Sequence, residues 1–264
     1  MRILMLLCLF ALPAWADQPL VKLQTLDDTR GWEAVGKLIL GDRGFCTGAL
    51  VAPQMVLTAA HCLYDKETGA RLKPGQIKFL AGWRNGRAEA YCGVRQAVTH
   101  PDYVYGGTDS LDRVADDVAL IELDQPILLP NVHPFALAAV PEAGEAVGVI
   151  SYGQGRADAP ALQRECQVMD KATGILVMSC DVDFGSSGAP VFQMKDGTPQ
   201  VVSVISSKAE VDGKRVALAS ALDIPVDLLS QALAVAAPEG LHVAHVQILS
   251  GGLAGGAKFI KSQP

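Results

Sequence analysis

Three short stretches of this 264-residue chain hold side chains that could do covalent chemistry together. They are Thr58-Ala59-Ala60-His61-Cys62, Asp116-Asp117-Val118-Ala119-Leu120 and Gly185-Ser186-Ser187-Gly188-Ala189-Pro190. A serine hydroxyl is almost never ionised at neutral pH, so it attacks a carbonyl only when an adjacent base takes its proton. Imidazole suits that task because it titrates near neutrality. A carboxylate completes the set by fixing the imidazole tautomer and stabilising its charged form. The developing oxyanion needs backbone N–H donors, and glycines beside the nucleophile let the chain turn to present them. Each stretch alone has a plain structural reading: a packed core histidine, an aspartate that starts a strand, a flexible turn. In the order His61, Asp117, Ser187 they supply all the parts of a nucleophilic triad. A Gly-x-Ser-x-Gly elbow does not fit, because Gly185 to Ala189 ends in Ala and the histidine comes first.

The elements that must position these residues read as short strands split by turns. Strand-like runs fall at 35–40, 47–52, 55–58, 76–80, 90–99 and 118–123. A connector with three prolines spans 126–135, and further runs follow at 146–152, 163–169, 175–179, 190–194, 200–206 and 215–221. Strands at this spacing imply closed or sandwiched antiparallel sheets, an all-β fold. The good helical pattern lies at 225–237, opened by a proline, with Leu228, Leu229, Leu233 and Val235 mostly on one face. Residues 17–31 are polar and turn-rich and read as a loose N-terminal arm; the glycine-rich 238–264 reads as a flexible tail.

Composition narrows the class. With 50% apolar and 19% charged residues the chain is an ordinary globular protein, which excludes disorder, collagen and coiled coil. A net charge of -6, with scattered basic residues, is the wrong sign for a nucleic-acid partner. Met1-Arg2, the apolar run 3–12 and Ala14-Trp15-Ala16 form a secretory signal peptide over 1–16, cleaved after Ala16. The run is too short to span a bilayer. Removing those 16 residues of 264 leaves 248, and losing Arg2 takes the charge to -7. The product is expected to be exported, periplasmic or secreted, with no membrane contact after signal removal. Cys8 goes with the leader. In an oxidising compartment Cys46, Cys62, Cys92, Cys166 and Cys180 are disulfide candidates, and their odd number leaves one over. None of the spacings is that of a zinc site.

These residues resemble the chymotrypsin/trypsin family of serine endopeptidases over roughly 35–222. Cys46-Thr-Gly-Ala-Leu-Val through Thr-Ala-Ala-His61-Cys62 is similar to the family's first-barrel signature. Thr99-His100-Pro101-Asp102-Tyr103 resembles its segment upstream of the acid, Asp117-Val-Ala-Leu its Asp-Ile-Ala-Leu, and Gly185-Ser-Ser187-Gly-Ala-Pro its Gly-Asp-Ser-Gly-Gly-Pro. The resemblance implies two antiparallel β-barrels with the active site between them: 32–135 carrying His61 and Asp117, and 136–224 carrying Ser187 and the specificity pocket. It implies Ser187 as nucleophile, His61 as general base and acid, Asp117 as orienting carboxylate, and the N–H groups of Gly185 and Ser187 as oxyanion hole. Asp116 is the rival for the acid. Peptide or protein substrates are implied; the chain is expected to be a monomer, and with no phosphate loop, Rossmann fingerprint or calcium loop in the sequence no cofactor or metal is expected.

The resemblance also locates a pocket. Asp181 falls six residues before Ser187, where trypsin-like members hold an acid, and Asp183 is the alternative. Ser206-Ser207-Lys208 resembles the segment that pairs with substrate backbone, with Lys208 where glycine is common. The family joins the pair matching Cys46 and Cys62. Cys166 and Cys180 flank Gly174, so a hairpin could oppose them, leaving Cys92; the alternative pairs Cys92 with one of them. Departures are Ser186 in place of the aspartate that receives a new N-terminus after zymogen cleavage, and no Ile-Val-Gly-Gly start. The chain is thus expected to need no activation cut, and in this it is similar to bacterial glutamyl endopeptidases. An inactive binding module and an esterase on the same fold are the competing readings. His242 and His245 read as tail residues and His100 as part of a surface turn.

Overall fold

Among the described residues fourteen strands arise where apolar residues alternate with turns, and twelve of them curl into two rings of six. The computed structural model describes residues 17–42, 44–106, 111–211, 213–222 and 225–236. The strands are β1 (Val21–Lys22), β2 (Val35–Leu40), β3 (Gly44–Ala52), β4 (Met55–Thr58), β5 (Ile77–Ala81), β6 (Ala90–Thr99), β7 (Ala119–Leu123), β8 (Ala136–Leu137), β9 (Ala146–Ser151), β10 (Ala161–Ala172), β11 (Ile175–Met178), β12 (Pro190–Lys195), β13 (Thr198–Val211) and β14 (Lys214–Ala221). Two helices join them, α1 (Leu111–Ala115) and α2 (Pro225–Ala236). The signal segment 1–16, the tail 238–264 and its His242 and His245 lie outside the described residues.

The first barrel closes in the order β2-β3-β4-β7-β6-β5. The second runs β9-β10-β11-β14-β13-β12 and closes where β12 pairs with β9. Closure pairs both edges of each ring strand within its barrel; the short β1 and β8 lie outside the rings and pair on one side only. Pro53-Gln54 turns β3 into β4, with Ala52 opposite Met55. Gly174, at φ +75°, turns β10 into β11. The chain is therefore all-β with two antiparallel barrels and a C-terminal helix, as the sequence predicts; β8 adds one short parallel pairing to β13.

Strand ends depart from the sequence reading. β10 and β13 extend past the expected 163–169 and 200–206 to 161–172 and 198–211. The added C-terminal ends, 170–172 and 207–211, are exposed or half-buried, so no buried-apolar alternation marks them; the added Ala161 and Leu162 are buried. The arm 17–31 is docked rather than loose. β1 pairs with β10, Gln18 N–H donates to the Glu165 carbonyl at 2.9 Å, and Leu23 is buried.

Each barrel has its own apolar filling. Leu38, Leu50, Leu57, Phe79, Leu120 and Ile121 are fully buried in the first; Val149, Leu176, Met178, Val191 and Val202 fill the second. Trp32 lies where the two meet, 4.6 Å between ring centroids from Phe192 of β12 and 6.0 Å from Phe135. Helix α2 returns from the second barrel to pack on β6 and β7 of the first, burying Val226, Leu229 and Leu233. The side chains of Leu228 and Val235 lie outside the described set.

Disulfides join Cys46 to Cys62 and Cys166 to Cys180. The first ties β3 to the turn carrying His61; the second ties β10 to the segment that leads to Ser187. Loops this short are worth about 3 kcal/mol per bridge on chain-entropy arguments. Cys92, on β6 opposite Phe79, is a buried free thiol. Burial first, and the Asp124 charge second, push its pKa up. Cys92 should therefore resist iodoacetamide in the native protein and react once the chain is unfolded without reductant. Non-reducing peptide mapping checks this. Rapid labelling of Cys92 in the native state, or its recovery in a disulfide peptide, would contradict the buried strand position.

Candidate active site

His61 lies in a 3-10 turn, Ala60–Leu63, directly after β4. Asp117 sits between α1 and β7, and its side chain is only 4% exposed. A buried carboxylate must be paired or hydrogen-bonded. Asp117 meets that demand with three donors. Its Oδ1 accepts the His61 backbone N–H at 2.8 Å. Its Oδ2 lies 2.7 Å from His61 Nδ1 and accepts the Ser206 hydroxyl at 2.6 Å. The Nδ1 contact leaves Nε2 as the imidazole nitrogen available to another group; the Cys62 sulfur is 3.8 Å from it.

Two of the groups that fix Asp117 come from the second barrel. Ser206 occupies a bulge in β13, between the Ile205–Ala219 and Ser207–Leu218 pairs, and a bulge re-aims its side chain. Ser220 of β14 donates its hydroxyl to the Val114 carbonyl at 2.6 Å and lies 3.3 Å from the Asp117 carbonyl. Neither role is visible in a sequence where serines are common. Asp116 takes another direction: its carboxylate lies 3.4 Å from His100 Nδ1. His100 opens the exposed turn at Pro101-Asp102, its carbonyl accepting Tyr103 N–H at 3.1 Å, but its own side chain is buried and its Nδ1 accepts the Asp102 N–H at 3.3 Å.

Ser187 lies in the loop between β11 and β12, on the same cleft as His61, Asp117 and Ser206. The cleft encloses about 470 Å³. Among the described contacts, the Ser187 hydroxyl makes no hydrogen bond to the imidazole. The loop is fixed largely by Thr47 of β3, which is fully buried. Thr47 N–H donates to the Ser187 carbonyl at 2.9 Å, and its hydroxyl donates to the Gly185 carbonyl at 2.9 Å. The same hydroxyl accepts Tyr152 N–H at 3.1 Å. Gly188 N–H donates to the Ile205 carbonyl at 2.7 Å. Gln154 N–H holds the Phe184 carbonyl at 2.7 Å. In a trans peptide the N–H points away from the C=O, so this contact sets the direction of Gly185 N–H.

The specificity residues do not all fall where the sequence predicts. Asp181 lines a neighbouring hollow with Gln163 and Lys214 rather than the cleft. Besides Asp117, Asp183 lines the cleft, and Lys208 Nζ holds it at 2.7 Å while lying 4.1 Å over the Phe184 ring. Lys208 and the Phe184 backbone N–H lower the Asp183 pKa. Ser206, Ser207 and Lys208 all line the cleft, and the Ser206 side chain donates to Asp117. Opposite them, Tyr103 and Tyr105 wall the cleft, with Tyr105 stacked on Tyr64 at 4.7 Å. Burial first and the Asp117 charge next raise the Tyr103 phenol well above its ordinary range. The group Cys46, His61 and Cys62 has metal-like proximity, but both sulfurs are spent in a disulfide.

A family profile described as Trypsin matches residues 27–227. Human mannan-binding lectin serine protease 1 is 30% identical over 125 residues, 42% of this chain and 17% of that protein. Serine protease 23 of Mus musculus is 28% identical over 194 residues, 63% and 49% of the two chains. Human trypsin-3 is 31% identical over 173 residues, 60% and 52%. Apart from the first, the chain spans about half the length of these relatives. A solved structure of a Glu endopeptidase in complex with MPD has the same fold, with a TM-score of 0.64 and 20% identity, covering 83% of this chain and 98% of that one.

Gly188 supports the loop geometry by what it lacks. Its φ is +77°, and a Cβ there would collide with Thr58 Oγ1 and the Thr47 carbonyl. Gly188→Ala should cost roughly 2–5 kcal/mol from backbone strain and overpacking together. Calorimetry should read a Tm lowered by roughly 5–15 °C for a chain of this size. A Tm within about 2 °C of the parent would show the loop less tightly seated than this.

Proposed function

The chain belongs to the trypsin family of serine proteases, and from that premise we propose that it is an exported serine endopeptidase acting through Ser187, His61 and Asp117. The observation that carries this reading is the Asp117 carboxylate bound to both the backbone N–H and Nδ1 of His61 on a cleft shared with Ser187. In the proposed reaction Ser187 Oγ bonds to the peptide carbonyl carbon while its proton passes to His61 Nε2. The carbonyl oxygen becomes an oxyanion facing the N–H groups of Gly185 and Ser187. Collapse of that intermediate breaks the C–N bond, and the His61 proton leaves with the amine. Water then repeats the sequence on the acyl-enzyme, with His61 again as base.

Asp117 supplies no proton. Its charge stabilises the imidazolium and its two contacts hold the ring in one tautomer. Substrate enters an open cleft in which Lys208 already satisfies Asp183, so residue preference is set by that pair and by the tyrosine wall. Two disulfides support an oxidising destination for the protein. Among the described residues no helix is long and apolar enough to cross a membrane.

Ser187→Ala should abolish peptide hydrolysis and leave the fold intact, with a residue of activity of roughly 10³- to 10⁴-fold over water. Digestion of a peptide library by parent and variant reads both the activity and its residue preference. Near-normal turnover by the variant would reject Ser187 as nucleophile.

The two aspartates should separate sharply. Asp117→Asn should lower kcat by about 10⁴-fold by stabilising the wrong tautomer. Asp116→Asn should cost little, because its carboxylate faces His100. Steady-state kinetics of both variants decide this, and the reverse ranking would move the acid by one residue.

A further inference from the structure

We propose that Arg156 is a positioning residue for this reaction, whose guanidinium clamps Ser186 and the 153–156 turn so that the Gly185 and Ser187 N–H groups face the cleft. The inference rests on the reading of Ser187 as nucleophile. Arg156 lies in the connection between β9 and β10. Its Nη1 donates to the Ser151 carbonyl. Its Nη2 reaches two hydroxyls, Ser151 Oγ at 3.0 Å and Ser186 Oγ at 3.0 Å. Ser186 directly precedes Ser187 and is fully buried. Its hydroxyl also accepts Asp183 N–H at 3.2 Å and donates to the Tyr152 carbonyl at 3.2 Å.

The cation is held by neutral oxygens. Among the described residues no carboxylate lies within ion-pair distance of Arg156, and burial lowers its pKa, partly offset by Asp181 and Asp183. A partly buried cation in such a setting is costly unless its donors are used well. A planar fork can bond several oxygens at once, which an ammonium point charge does less well.

Gly153 makes room for that fork. A Cβ on Gly153 would lie 2.7 Å from Arg156 Cζ and 2.8 Å from Nε and Nη2. Arg156 N–H closes the turn onto the Gly153 carbonyl at 2.9 Å. Gln154 in the same turn holds the Phe184 carbonyl at 2.7 Å. Arg156 thus grips the nucleophile loop at Ser186 and steadies the turn that grips it at Phe184. Without it, the Phe184–Gly185 peptide is free to rotate its carbonyl toward the cleft and withdraw the Gly185 N–H.

The test is the rate of phosphorylation by diisopropyl fluorophosphate. In that reaction the Ser187 Oγ–P bond forms, the P–F bond breaks, fluoride leaves and the serine proton passes to His61. Four variants are compared with the parent: Arg156→Met, Arg156→Lys, Gly153→Ala and the double variant Gly153→Ala/Arg156→Met. Gly153 is outside the left-handed region, so alanine there strains no backbone and acts by displacing the guanidinium. Losing one oxyanion donor outright costs about 10²- to 10³-fold, so a loosened donor should slow Arg156→Met and Gly153→Ala by about 10- to 100-fold. The double variant should be no slower than either, and Arg156→Lys should recover part of the rate. With p-nitrophenyl acetate, kcat should fall while KM stays within about threefold.

Phosphorylation of Arg156→Met or Gly153→Ala at close to the parental rate overturns the proposal, as does a raised KM with kcat unchanged. Failure of the parent itself to be modified at Ser187 rejects the nucleophile, a distinct result that leaves Arg156 with nothing to position.

Discussion

The buried carboxylate of Asp117 is the constraint around which the two barrels are arranged. An ionised group this deep would not be tolerated without donors, and all its side-chain donors come from outside its own segment. His61 supplies two from the turn after β4, and Ser206 supplies one from β13. A residue of the first barrel is therefore satisfied only when the second barrel is in place. Ser220 repeats the logic at the backbone, holding the Val114 carbonyl on the strand next to β13.

The converse contacts run from the first barrel to the second. Thr47 on β3 holds the carbonyls of Gly185 and Ser187, on either side of Ser186. Thr58 fixes Thr47 in turn, donating its hydroxyl to the Thr47 carbonyl at 2.9 Å. Acid and serine are thus each held by the opposite barrel, and Trp32 seals the apolar part of the same junction against Phe192. A closed barrel is a rigid support, so small groups can be kept at hydrogen-bond precision across the gap. The two disulfides reinforce this locally, one beside His61 and one leading into the Ser187 segment.

How much of this was legible in the sequence depended on what each residue had to signal. His61, Asp117 and Ser187 stand in distinctive surroundings, and their neighbours also carry the family resemblance. Strand cores were legible because their apolar residues alternate with turns; the C-terminal ends of β10 and β13 were not, because solvent reaches both of their faces. The 17–31 arm reads as loose from its composition, yet its docking relies on backbone pairing that any side chain permits. Thr47, Ser220 and Arg156 are ordinary residue types whose importance arises from distant partners, so no local pattern marks them. The sequence marks Ser206 only through its segment, and the bulge in β13 that turns its hydroxyl onto Asp117 leaves no local pattern. Counting back from Ser187 leaves Asp181 and Asp183 both open, and counting alone does not reveal that Asp183 lines the cleft while Asp181 lines the hollow beside it.

The central claim is that His61, Asp117 and Ser187 act as one unit beneath an oxyanion site built from Gly185 and Ser187. A crystal structure of the protein with a peptide boronic acid tests it most directly, because a tetrahedral boronate imitates the intermediate. The account predicts a bond from boron to Ser187 Oγ, with one boronate oxygen about 2.7–3.1 Å from the N–H groups of both Gly185 and Ser187. His61 Nε2 should contact the boronate while Nδ1 stays on Asp117. A boronate bound elsewhere, or one bonded to Ser187 with its oxygen turned away from both N–H groups, would contradict it.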